Sequence, residues 1–339
     1  MIKKITILAL ALSLLSSVAT AYDNYHQAIT KRTYNLDIWN HSQYGEIAKD
    51  YFADKYAGQK FGAQTIDDSS WITNDVKHAW IQGHSGKGTN VLVIDDFWYP
   101  AAGPNRERTT HGGLASTIVG GNPHDDLPLI GIAPGARVWT TGKFNKMGYF
   151  GGFKQNVLLV NGQSNQRHWG HGSTKPVNDA VRIARSYHNN VKPVRSVIVV
   201  PAGNGAGTCQ IGGICNKFAT QFLGNSETRD KTLIVGAVDS NNNIVYNSNK
   251  AGTTKNNYVV DDGFLYTKGA GIGATSWSAP RVAGKAAIIK GKFSHLNATQ
   301  ISNIIKTTAD DLGAPGVDNI YGHGKVNLGR ALSPIGNLR

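Results

Sequence analysis

The sequence predicts an α/β fold: a doubly wound, mostly parallel sheet with helices on both faces. Two observations carry that reading. Val91-Leu92-Val93-Ile94 and the runs 157–160, 197–200 and 233–235 are continuously apolar and rich in β-branched residues, the pattern of strands buried on both faces. Stretches with helical spacing lie between them, at 111–119 and 177–187. Strands alternating with helices give a parallel sheet, whose ligand site lies outside the C-terminal ends of the strands. At 339 residues and 40% hydrophobic content, the chain can bury one large core.

The N-terminus reads as an export signal. Met1-Ile2-Lys3-Lys4, an apolar run over 5–15, and Ala19-Thr20-Ala21 form the charged, apolar and cleavage regions of a signal peptide spanning residues 1–21. The apolar run is too short for a membrane anchor, and no other stretch is long enough to span a bilayer. A secreted or periplasmic mature chain starting near Tyr22 is expected. Residues 22–68 are aromatic and polar, with one amphipathic helix expected over 45–56; they form an N-terminal extension or short propeptide lying against the main domain at 69–339.

Four places along the main domain can carry chemistry. The strand over 91–94 ends at Asp95-Asp96. A carboxylate there either caps the next turn or orients a histidine that takes a proton from a serine. His111 opens Thr110-His111-Gly112-Gly113-Leu114-Ala115, a glycine-rich helix start that packs close to the sheet; its ring either meets the strand ends or lies on the surface. Val200-Pro201-Ala202-Gly203-Asn204-Gly205 ends another buried strand in an amide. That amide either makes an Asn-Gly turn or donates to the oxyanion of a tetrahedral intermediate, a donor worth about 3–4 kcal/mol. Last comes Gly273-Ala274-Thr275-Ser276-Trp277-Ser278-Ala279-Pro280, feeding the apolar run 282–289. Ser276 there is a helix N-cap or a nucleophile, beside a free backbone N–H and the positive end of a helix dipole.

Together these stretches resemble the subtilisin-like serine proteases, the subtilases. The order Asp95, His111, Ser276 is the subtilisin order. Gly131-Ile132-Ala133-Pro134-Gly135-Ala136 is similar to the family's Gly-Val-Ala-Pro turn, and Val235-Gly236-Ala237-Val238-Asp239 to its Val-Gly-Ala strand. Thr307-Thr308-Ala309-Asp310-Asp311 with Tyr321-Gly322-His323-Gly324-Lys325-Val326-Asn327 resembles its C-terminal signature. The resemblance implies a subtilisin-like fold and a serine endopeptidase acting on polypeptide through an acyl-enzyme, with no cofactor required. Ser276 would be the nucleophile, His111 the general base, Asp95 its orienter, and Asn204 with the Ser276 N–H the oxyanion hole. Asn161, Gly162 and Gly203 would bind substrate, since Leu159-Val160-Asn161-Gly162-Gln163 stands where the family usually reads Ser-Leu-Gly. The chain departs from the pattern at Phe97 and Ala274, where the family has Gly, at Trp277 for Met, Arg281 for His and Gly113 for Thr. A subtilase-fold binding or toxin module with lost or narrowed proteolysis is the competing expectation. With the chain ending at Arg339, the long C-terminal β-barrel of autotransporters is not expected.

The two cysteines, Cys209 and Cys215, sit close together in a Gly-rich loop. In an exported chain they favour a local disulfide over zinc, for which no further ligands cluster nearby. Asp125 and Asp126 are either ligands of a structural Ca2+ ion, as is common in the family, or a solvated turn. The formal charge of +13 becomes +11 once Lys3 and Lys4 leave with the signal. That balance favours contact with acidic surfaces, but the basic residues are scattered and form no nucleic-acid motif.

Overall fold

The computed structural model describes residues 71–95, 111–120, 130–141, 156–161, 194–210, 216–267 and 270–334. The expected signal peptide, the 22–68 extension and the helix expected over 177–187 lie outside the described residues, as do Asp125, Asp126, Gly162 and Cys215. The described chain runs α1 (Asn74–Ile81), β1 (Asn90–Ile94), α2 (His111–Gly120), β2 (Arg137–Thr141), β3 (Val157–Val160) and β4 (Val197–Pro201). It continues with α3 (Lys217–Gly224), β5 (Thr232–Val238), β6 (Tyr258–Asp262), β7 (Phe264–Thr267), β8 (Ala270–Gly273), α4 (Thr275–Lys292), α5 (Ala298–Thr307) and α6 (Leu328–Leu332).

Strands β1 to β6 form one all-parallel sheet in the order β2-β1-β3-β4-β5-β6. Successive residues of each inner strand point to opposite faces, and both faces are covered. Val91, Val93, Val157, Leu159, Val197 and Val199 pack with residues of α1, α2, α4, α5 and α6. Leu92, Ile94, Leu158, Val160, Ile198 and Val200 pack instead with Phe218 and Phe222 of α3. Two-sided burial is why these strands read as unbroken apolar runs rather than as alternating ones.

Helix α4 lies on the first of these faces and is buried from Trp277 to Ile289. It crosses α2 closely at Gly284, where a Cβ would stand 2.8 Å from Ile132 Cβ and 3.0 Å from the Val119 carbonyl oxygen. The antiparallel hairpin β7–β8 delivers the chain to its N-terminus. The N-cap is Ala274, in extended conformation and with no side-chain cap bond, so Ser276 is not the cap but lies inside the first turn. At the other end of the helix, Asn297 and Gln300 start α5 with a capping box. Two tryptophans anchor α1: Trp71 Nε1 donates to the Ile130 carbonyl at 2.7 Å and Trp80 Nε1 to the Ile132 carbonyl at 2.9 Å.

Candidate active site

Asp95 follows the last residue of β1, Asn161 the last residue of the adjacent β3, and Gly203 and Asn204 come just beyond β4. Parallel pairing sets these positions side by side at the C-terminal edge of the sheet. The N-termini of α2, with His111, and of α4, with Ser276, meet them there.

His111 Nδ1 lies 2.7 Å from Asp95 Oδ1; the Asp95 side chain is 1% exposed and the His111 ring 34%. A ring proton on Nδ1 would be donated to this oxygen and would leave Nε2 as the acceptor. Asn161 Nδ2 donates to the other oxygen, Asp95 Oδ2, at 2.8 Å. The same amide donates to the Ser276 carbonyl at 3.2 Å. That second bond has a local cause. Pro280, inside α4, has no N–H to give to the carbonyl four residues earlier, which is that of Ser276. Asn161 supplies the missing donor from another element, so one buried amide ties the acid to the peptide of the serine.

Asn204 is fixed from the same helix. Thr275 N donates to Asn204 Oδ1 at 2.9 Å and Thr275 Oγ1 donates to it at 2.8 Å. A backbone N–H can only donate, so the accepting atom is the amide oxygen and the Asn204 NH2 faces away from Thr275. Gly203 N donates to Thr275 Oγ1 at 3.2 Å. Gly203 itself has φ +99, and a Cβ there would stand 2.9 Å from Asn249 Nδ2; the position needs glycine on both counts. The Ser276 N–H belongs to the first turn of α4 and has no acceptor among the described residues.

The structure thus gathers Asp95, His111, Asn161, Gly203, Asn204 and Ser276 at one sheet edge. The amide group of Asn161, an expected substrate-binding residue, donates to Asp95 and to the Ser276 carbonyl. Trp277, noted in the sequence only as a departure, has its ring centroid 4.9 Å from that of His111, with 37° between the planes. Cys209 is fully buried, and no described cysteine is free. Among the described residues no group of three or more His, Cys, Asp or Glu side chains could hold a metal ion.

The subtilase family model matches residues 74–324. Serotype-specific antigen 1 of Mannheimia haemolytica is 39% identical over 121 residues, which is 31% of this chain and 13% of that protein. An extracellular serine protease of Serratia marcescens is 51% identical over 59 residues, 17% of this chain and 6% of that protein. These matches therefore span only a small part of the relatives' own length. Among solved structures, the prenylagaramide maturation protease PagA superposes with a TM-score of 0.52 at 17% identity, covering 77% of this chain and 98% of that one.

Proposed function

The chain belongs to the subtilase family, and from that premise we propose that it is an exported serine endopeptidase working through an acyl-enzyme. Ser276 is the nucleophile, His111 the base and then the acid, and Asp95 the residue that orients it. The observation that carries this reading is the hydrogen bond between His111 Nδ1 and the buried Asp95, beside the first turn of the helix that bears Ser276.

As Ser276 Oγ attacks the scissile carbonyl carbon, its proton passes to His111 Nε2 and the carbonyl π electrons move onto oxygen. Asp95 stabilises the imidazolium that results, and the new oxyanion accepts hydrogen bonds from Asn204 Nδ2 and the Ser276 N–H. Collapse expels the amine, which takes the proton from Nε2; water then repeats the cycle in reverse on the acyl-enzyme. Every proton in this sequence is moved by protein groups, so the proposal includes no cofactor. Asn204 is held for its task by Thr275, and Ser276 by Asn161. The proposed substrate-binding residues are Asn161, Gly162 and Gly203.

Export through residues 1–21 and a Cys209–Cys215 disulfide complete the proposal. Support comes from the signal-like N-terminus, the extracellular Serratia relative and the absence of a free cysteine among the described residues. No described helix is long and apolar enough to cross a membrane.

The test is labelling with a serine-directed phosphonate, mapped by peptide mass spectrometry. Adduct on Ser276 in the wild type and none in Ser276→Ala is expected; a folded, processed wild type that takes no label overturns the reading.

A further inference from the structure

Trp277 follows Ser276 in the first turn of α4 and is 5% exposed. Its ring centroid lies 4.9 Å from that of His111, with a 37° tilt. We propose that Trp277 is a positioning residue acting through His111: the indole holds the imidazole by its face and favours the protonated ring that forms during turnover. The inference rests on His111 being the base.

Asp95 holds the ring at Nδ1. The indole, tilted against the imidazole, limits its rotation about that contact, and burial makes the indole a rigid platform. The chemical effect follows from charge. An aromatic face attracts a cation within about 6 Å of its centroid, and most strongly when the face is indole. His111 is neutral before attack and cationic in the tetrahedral intermediate, so the attraction grows as the barrier is climbed.

The charged side chains of the described elements around the ring have partners of their own. Asp95, at the end of β1, is a charged partner of the ring, and α2 carries no other titratable side chain. From β3 the facing group is the neutral Asn161. On α4, Arg281 is turned to the Phe264 carbonyl and to Asp262, 3.8 Å away, and Lys285 is paired with Asp261 and Asp75. The family's Met at this place would fill space without offering a π face.

The experiment keeps shape constant and varies only the π density: fluorinated tryptophans are incorporated at position 277 of the Ser276→Ala protein. The His111 ring is then titrated by NMR. The midpoint should step down as fluorines are added, by about 0.5 pH units for the tetrafluoro ring. In the protein with Ser276 intact, the acidic limb of the kcat/KM profile should move the same way and kcat/KM should fall about three-fold. Trp277→Met should match the tetrafluoro ring and Trp277→Phe should lie between it and the wild type. A midpoint that stays fixed or rises across the fluorinated series overturns the inference. Because the titration is read without a nucleophile, its outcome concerns Trp277 alone, whereas a wild type that takes no phosphonate overturns the catalytic reading.

Discussion

At the scale of single residues, Pro280 reaches the nucleophile through what it cannot donate. The Ser276 carbonyl passes to Asn161, and through that amide the serine's own peptide is pinned to Asp95. Asn161→Ala removes a hydrogen bond to a carboxylate and another to a carbonyl whose helical donor is already gone. We expect kcat to fall about 10- to 100-fold with KM little changed; steady-state kinetics on a chromogenic peptide read the split, and an unchanged kcat would show that the amide positions nothing. The members of the candidate site were legible because each sits in a local signal: an acid closing a strand, a histidine opening a helix, an amide ending a strand, a serine in a turn. What Asn161 touches was not legible. Its partners lie 66 and 115 residues away in sequence, and only the pairing of β1 with β3 and the seating of α4 bring them within reach. The contact between Trp277 and His111 was hidden for the same reason.

The same contrast between local signal and tertiary cause holds for whole elements. The inner strands β1, β3, β4 and β5 matched their apolar runs, whereas β2 and β6 were not legible. Those two are the edges of the sheet, and they carry Arg137 and the pair Asp261-Asp262 where the inner strands carry no charged side chain. Helix α4 runs well ahead of its apolar stretch because Pro280, Arg281 and Lys285 interrupt the hydrophobic pattern while being buried by their surroundings. It comes close to α2 at Gly284, and there the neighbours include main chain that cannot retreat. Gly284→Ala, although better for isolated helix propensity, should therefore destabilise the protein by about 1–3 kcal/mol. Urea unfolding measures this; a variant as stable as the wild type would mean that the two helices are free to separate.

Across the whole molecule, a buried charge cluster joins the first described helix, an edge strand and the helix of Ser276. Lys285 Nζ lies 2.9 Å from Asp261 and 3.6 Å from Asp75, and donates to the Val326 carbonyl at 3.2 Å. Burial alone would lower the Lys285 pKa, but attraction to Asp261 and Asp75 outweighs it and the value lies above the ordinary 10.5. Burial likewise pushes Asp75 up, yet Lys285 and the hydrogen bond from Thr73 bring it below the ordinary 3.8. The signs then follow. The contribution of Lys285 is complete below 10.5 and is lost as pH rises through the raised folded value; that of Asp75 is complete above 3.8 and is lost as pH falls through the lowered one. Lys285→Met strands Asp261 without its cation and should cost about 3–5 kcal/mol at neutral pH. It should also flatten the alkaline limb in urea titrations repeated across pH; an alkaline limb of wild-type slope would locate that sensitivity elsewhere.

The sheet order also has a consequence in time. Asp95, Asn161 and Ser276 come from β1, β3 and α4, and between the last two the chain must lay down β4, β5 and β6, each strand parallel to its neighbour. Parallel pairings form only after long loops have closed, so they are late events in folding. A half-folded chain can hold the acid or the serine but not both in one place. In the proposed reading, a newly made molecule is therefore harmless to the proteins around it until its last strands have docked, with the delay written into the connectivity of the chain.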